Sequence, residues 1–237
     1  APAVKSADNL NTFKSAVKAI AARNGLYASF MPKPLHDQSG NGLHVNMSLM
    51  RDGKNLFESP LTPDSEAGYF VAGILAHARE LTAFCNPVPN SYARLGANEA
   101  PLYISWSRQN RSQLVRLPSA SGDLCRVELR GPDPAGNPYL VIGLILAAGL
   151  DGIARKLPLA EPVNRNLFHP SAAAGLESLP RTLREAITVA AQSDFIAAEL
   201  PLALQNKYFE YQTQLCHGYE NAPDPAVWER THGFLVI

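Results

Sequence analysis

Two glycines running straight into a two-residue hydrophobic period constrain this chain more than any other feature. Ser39, Gly40, Asn41 and Gly42 lead into a stretch where Leu43, Val45, Met47 and Leu49 alternate with His44, Asn46 and Ser48. A period of two buries one face only in a β-strand, so the apolar set packs inward and the polar set lines the second face. Gly40 and Gly42 let the backbone approach whatever that polar row holds. A row of this kind under a glycine loop suits a phosphate or a metal ion. An ordinary solvent-facing sheet surface has the same pattern.

The rest of the chain reads as helices and short strands. Residues 8–24 form a helix, with Leu10, Phe13, Val17 and Ile20 on one face and Asn24 and Gly25 as its stop. Tyr27–Met31 is expected as a strand. The strand through His44 ends at Arg51, Asp52, Gly53 and Lys54, a hairpin signal. Thr62 and Pro63 look like the cap and first turn of a helix reaching Phe84, with Asn86, Pro87 and Pro89 ending it. Short strands are expected at 102–107, 113–117 and 125–129. Helices follow at 139–156, at 182–192 with Thr182 and Glu185 as a capping box, and at 202–216. An irregular tail over 219–237 is expected to anchor through Trp228 and Phe234. The order implies an α+β fold: a curved, mainly antiparallel sheet of about five or six strands backed by helices.

Bulk properties remove several function classes. With 21 basic and 21 acidic residues the chain is neutral, which gives no general electrostatic case for nucleic acid or an anionic membrane. The arginines that stand out (Arg94, Arg108, Arg111, Arg116, Arg126 and Arg130) fall within one segment, as a local anion site would have them. Three cysteines, Cys85, Cys125 and Cys216, lie far apart without metal spacing, which fits reduced thiols in the cytoplasm. The opening residues lack the apolar region of a signal peptide. The most apolar run, 139–150, falls short of the roughly 20 residues a bilayer needs and is expected to be a buried helix.

Arg126, Glu128 and Arg130 alternate on one strand face, with Val127 and Leu129 on the other. They make either a surface ion ladder or a metal-binding carboxylate flanked by guanidiniums that hold oxyanions. Asn110, Arg111 and Arg116 surround a strand start. Glu99 lies in an Asn98–Pro101 loop of the kind that recurs as an active-site lid. His36, His77, His169, His217 and His232 have no partners at ligand spacing and read as structural. There is no P-loop, dinucleotide fingerprint, CxxC or nucleophile elbow.

In this order the segments resemble the C-terminal part of the glutamine synthetase catalytic domain. The resemblance runs through Phe30-Met-Pro-Lys-Pro34, Gly40-Asn-Gly-Leu-His44, Asn90-Ser-Tyr-Ala-Arg-Leu95 and Glu99-Ala-Pro101. It continues through Asn110-Arg-Ser112, Arg126-Val-Glu-Leu-Arg130 and Pro132-Asp-Pro-Ala-Gly-Asn-Pro-Tyr139. It implies an ATP-dependent ligase that joins glutamate and ammonia through γ-glutamyl phosphate, using Mg²⁺ or Mn²⁺. By that resemblance His44 and Glu128 bind the cation, while Gly40, Arg94 and Arg130 hold glutamate. Asn46, Ser48, Arg111, Arg116 and Arg126 contact ATP phosphates. Glu99 sits on the closing flap and, with Arg111, is catalytic.

Four positions depart from the family pattern. Ser39 stands where Asn is usual, and Asn46 where a second His is usual. The 119–124 loop lacks a lysine, and Phe168 has no hydroxyl to adenylylate. In the family an N-terminal β-grasp domain and most metal-binding glutamates precede this region. These 237 residues are therefore expected to be a portion of the catalytic domain, inactive alone and homo-oligomeric in the full enzyme. A γ-glutamyl ligase for a polyamine or another amine, and a non-catalytic homologue, are the rival expectations.

Overall fold

The computed structural model of the protein describes residues 1–237, the side chain of Pro170 excepted. Helix α1 (Ala3–Arg23) starts earlier than residue 8 and buries only Ala7. Its expected apolar face is only partly covered: Leu10 and Val17 are half-buried, while Phe13 is 57% and Ile20 59% exposed. The strand expected at Tyr27–Met31 is absent. That segment docks on the C-terminal end instead: Tyr27 stacks on Phe234 at 5.5 Å, and Phe30 N donates to Ile237 O at 3.0 Å.

Strand β1 (Val45–Met47) is the core of the predicted alternating stretch. Its half-buried Val45 and Met47 pack on the hydrophobic core. Strands β2 (Met50–Arg51) and β3 (Lys54–Asn55) form the expected hairpin. Asp52 and Gly53 both take left-handed backbone there, at φ 50° and 77°, the signature of a tight hairpin turn.

The long helix expected to reach Phe84 is two helices, α2 (Glu66–Ala76) and α3 (Ala78–Cys85), broken at His77. Ser65 rather than Thr62 is the cap, because its Oγ reaches Gly68 N at 3.1 Å. At the break, the His77 ring lies between Glu80 (2.5 Å) and Asp151 (2.8 Å) and stacks on Phe195. Pro89 does not only end a helix. It opens α4 (Pro89–Arg94), since proline fits a first turn whose N–H would be unpaired anyway.

Strands β4 (Trp106–Arg108), β5 (Val115–Leu117) and β6 (Val127–Leu129) complete a four-stranded sheet in the order β1-β6-β5-β4. The β1–β6 and β6–β5 pairs are antiparallel, but β4 and β5 are parallel, so the sheet is mixed and smaller than expected. Its apolar face presents Trp106, Val115, Val127 and Leu129, all buried against the helices.

Helix α5 (Pro138–Arg155) is capped by Asn137, whose Oδ1 accepts from Tyr139 N at 3.0 Å. It is long and apolar enough to cross a membrane by length and composition. Here it packs along α2 and buries Val141, Leu144, Ile145 and Ala148. The two helices touch through glycine. A Cβ on Gly73 would meet Ala148 O at 2.1 Å, and one on Gly152 would meet Tyr69 O at 2.2 Å.

Helices α6 (Leu183–Ala191), α7 (Asp194–Glu199) and α8 (Leu202–Glu220) follow. Thr182 caps α6 as expected, accepting from Glu185 N at 3.1 Å, while Glu185 reaches back to Arg181 N. The tail is helical rather than irregular: α9 (Pro225–Glu229) runs into a π-turn over Arg230–Phe234. Of the two expected anchors, Phe234 stacks on Tyr27 outside the tail at 5.5 Å, whereas Trp228 stacks on His232 within it at 4.3 Å.

Candidate active site

The polar face of the sheet is set by register. Asn46 pairs with Glu128, Glu128 with Arg116, and Arg116 with Ser107, one from each strand. Side chains directly opposite one another share a face, so these four form one row across the sheet. Just past the end of β6 and two residues on from Glu128, Arg130 extends the row toward the glycine hinge.

Glu128 is the centre of the row and is 8% exposed. Its Oε2 accepts from Arg116 Nη1 at 3.0 Å and from Arg130 Nη1 at 3.2 Å. Its Oε1 faces His44 Nδ1 at 3.3 Å. The two oxygens thus have separate duties: one is neutralised by guanidiniums, the other faces the imidazole. Burial and the Arg130 charge beside it hold the His44 imidazole below the usual histidine range, with Glu128 offsetting part of this. A neutral imidazole is the form that ligates a metal.

The spacing of that donor pair suits a divalent cation. A carboxylate oxygen and a neutral nitrogen 3.3 Å apart match two adjacent ligands of one octahedral ion, roughly 3 Å apart for bonds near 2.1 Å. The set is not complete. Among the described residues no group of three or more His, Cys, Asp or Glu side chains gathers at one point.

The hinge shapes one wall of a cavity of about 190 Å³, bounded by Gly40, Gly42, His44, Arg94, Glu99 and Arg130. The glycines are needed for close approach. A Cβ on Gly42 would lie 2.5 Å from Arg94 Nη2, and one on Gly40 2.5 Å from Pro32 O. Arg94 is 3% exposed and is tied into the backbone, its Nη1 donating to Gly131 O at 2.8 Å and Nη2 to Arg130 O at 3.2 Å. It therefore braces the end of β6 as well as lining the cavity.

Arg126 turns toward β1, its Nε donating to Asn46 Oδ1 at 3.0 Å. Beyond it lies a second cavity of about 270 Å³, with Phe57, Arg108, Leu117 and Pro118 among its walls. Glu99 is exposed on the Asn98–Pro101 loop, and its main-chain carbonyl accepts from Arg130 Nη2 at 3.3 Å. Ser48 is exposed just past β1 on the same side as Asn46. Arg111 stands apart. It is exposed on the turn between β4 and β5, with no hydrogen bond or ion pair to a described residue.

The structure therefore brings together His44, Asn46, Arg94, Arg116, Arg126, Glu128 and Arg130, with Gly40 and the loop that carries Glu99 as cavity walls. Sequence reasoning missed Ser107, whose place beside Arg116 is visible only through the parallel register. It also missed Asp133, wholly buried and held by Asn86 Nδ2 at 2.9 Å and Ala135 N at 3.0 Å. Lys33 and Asn98 lay within quoted motifs without an assigned role.

Comparison with known proteins gives a consistent picture. The family model described as "Glutamine synthetase, catalytic domain" matches residues 1–231. A Glutamine synthetase of Methanosarcina mazei is 52% identical over 203 residues, covering 82% of this chain and 45% of that protein. A Glutamine synthetase of Staphylococcus aureus is 45% identical over 216 residues, covering 88% of this chain and 48% of that protein. Two solved structures, described as "Apo GmaS without ligand" and "GmaS/ADP complex-Conformation 1", superpose with TM-scores of 0.85 each. Their identities are 36% and 35%; each covers 98% of this chain, and this chain covers 53% and 55% of theirs. The chain spans about half the length of the curated relatives it matches.

Proposed function

The chain belongs to the glutamine synthetase catalytic-domain family, and from that premise we propose that it supplies the phosphoryl-transfer half of an ATP-dependent ligase making a γ-glutamyl amide. The observation that carries this is Glu128, buried between His44 on one oxygen and Arg116 and Arg130 on the other, at the edge of the flap-covered cavity.

In this reading glutamate occupies the smaller cavity, and its γ-carboxylate oxygen attacks the terminal phosphorus of ATP. The bond to ADP breaks and γ-glutamyl phosphate forms. Ammonia or another amine then attacks the carbonyl carbon, gives up a proton, and phosphate leaves. Several negative oxygens meet in the first step, so fixed positive charge is what the site must provide. Arg130 and Arg116 provide it at Glu128, and Arg126 provides it beside Asn46, at the mouth of the larger cavity, where we place the nucleotide. Mg²⁺ or Mn²⁺, held by His44 and Glu128, would neutralise phosphate oxygens. Two protein ligands do not fill a cation's sphere of six. Phosphate, water and chain beyond this site must complete it.

In this reading the flap would exclude water from an acyl phosphate that water would destroy, and the Glu99 carboxylate would take the proton of the amine. Asn46 is neutral where a charged partner would strengthen phosphate binding, and its oxygen is already engaged by Arg126. Acceptors other than ammonia therefore belong in the test. Phosphate release by the full-length enzyme is measured with glutamate and ATP across ammonia and several amines. Glutamate-dependent release that ammonia or an amine stimulates supports the reading. Release that ignores glutamate sinks it.

A further inference from the structure

One side chain of the flap, Asn98, reaches the loop that precedes the cavity's glycine wall. Asn98 holds left-handed backbone at φ 50°, a conformation that asparagine and glycine tolerate best. Its Nδ2 donates to the main-chain oxygen of Gln38 at 3.0 Å, on the loop leading into the glycine hinge. The same carbonyl accepts from Nζ of Lys33, a residue only 4% exposed. Both lone pairs of one carbonyl are thereby used, one by the wall and one by the flap.

The wall is firm. Asn90 clamps Lys33 from both sides, accepting from its N at 2.6 Å and donating to its O at 3.1 Å. On the sheet side, Arg130 Nη2 holds the carbonyl of the next flap residue, Glu99, at 3.3 Å. Consecutive residues of the flap are thus tied to two different segments, Asn98 to the loop before the glycine hinge and Glu99 to Arg130. The sheet-side tie uses a guanidinium already committed to Glu128. The Asn98 tie is independent of that charge cluster.

We propose that Asn98 is a positioning residue: its carboxamide latches the flap to the Gln38 carbonyl and so sets how much of the time Glu99 covers the cavity. The guarding consequence rests on the ligase reading above; the latch itself does not. Hydrogen exchange over residues 95–101 of the full chain tests it, in the parent, Asn98→Gly and Asn98→Asp. Both substitutions tolerate the left-handed backbone, so strain is not introduced, and both remove the donor. Exchange across the flap should rise about fivefold in each, the change that one net hydrogen bond carries, with the rest of the chain unaltered. Parent-like exchange in either variant overturns the latch.

In the full-length enzyme the second readout is phosphate released per amide formed. A residue with only a structural role would lower both together. Loss of the latch should raise the ratio above one as water intercepts the intermediate. Raised exchange with an unchanged ratio overturns the guarding role. If the parent enzyme releases no glutamate-dependent phosphate, the ligase reading fails, and the exchange result still decides the latch.

Discussion

Two guanidiniums, those of Arg116 and Arg130, meet Glu128 on one oxygen inside the protein. Removing the carboxylate charge leaves Arg130, whose side chain is 3% exposed, without its counter-ion. Glu128→Gln should therefore destabilise the fold by about 3 kcal/mol, measured as a lower urea midpoint with unchanged slope. His44 gives a signed check on the same cluster. Burial and Arg130 depress its folded pKa, so the unfolded chain takes up the proton first. Its contribution to stability is complete above the ordinary histidine value of 6.5 and is lost as pH falls through the lower folded value. Followed by NMR, the His44 midpoint should rise in Arg130→Gln and fall further in Glu128→Gln. Movement in the same direction in both would contradict this account of the site. The sequence exposed His44, Glu128 and Arg130 as candidates because alternation fixes which side chains share a strand face. It could not say that Arg94 would spend both terminal nitrogens on carbonyls, or that Arg111 would stand alone. Those outcomes depend on where loops return, which no local spacing encodes.

Among the elements, the α2–α5 crossing has the least tolerance. Gly73 and Gly152 let the two backbones meet, and a methyl group at residue 73 would overlap a carbonyl oxygen rather than a movable side chain. Gly73→Ala should cost about 3 kcal/mol, seen as a drop of several degrees in Tm. Helices with strong periodicity or a clear cap, such as α5 and α6, were legible from sequence. The errors came where two signals competed. Ser65 out-reached Thr62 as a cap, Pro89 started a helix that it had been expected only to stop, and Tyr27–Met31 had β-forming residues but no neighbouring strand to pair with. The parallel β4–β5 pair was also hidden, because the six residues between the two strands, 109–114, read most simply as a hairpin connection.

Across the whole molecule, stability is concentrated between the sheet and α2, α3 and α5. Helix α1 contributes one fully buried residue and leaves Phe13 and Ile20 more than half exposed. Native-state hydrogen exchange should show α1 opening at denaturant concentrations that leave β6 and α5 protected. Simultaneous loss of protection in all three would mean that the helix is integral to the core. The flap's tie to residue 38 has a further consequence for how such a contact is inherited. Its acceptor is main chain, so glutamine there can be exchanged for almost any residue without touching the bond. Alignments of relatives should accordingly show no correlated drift between positions 38 and 98, even though the two are mechanically joined.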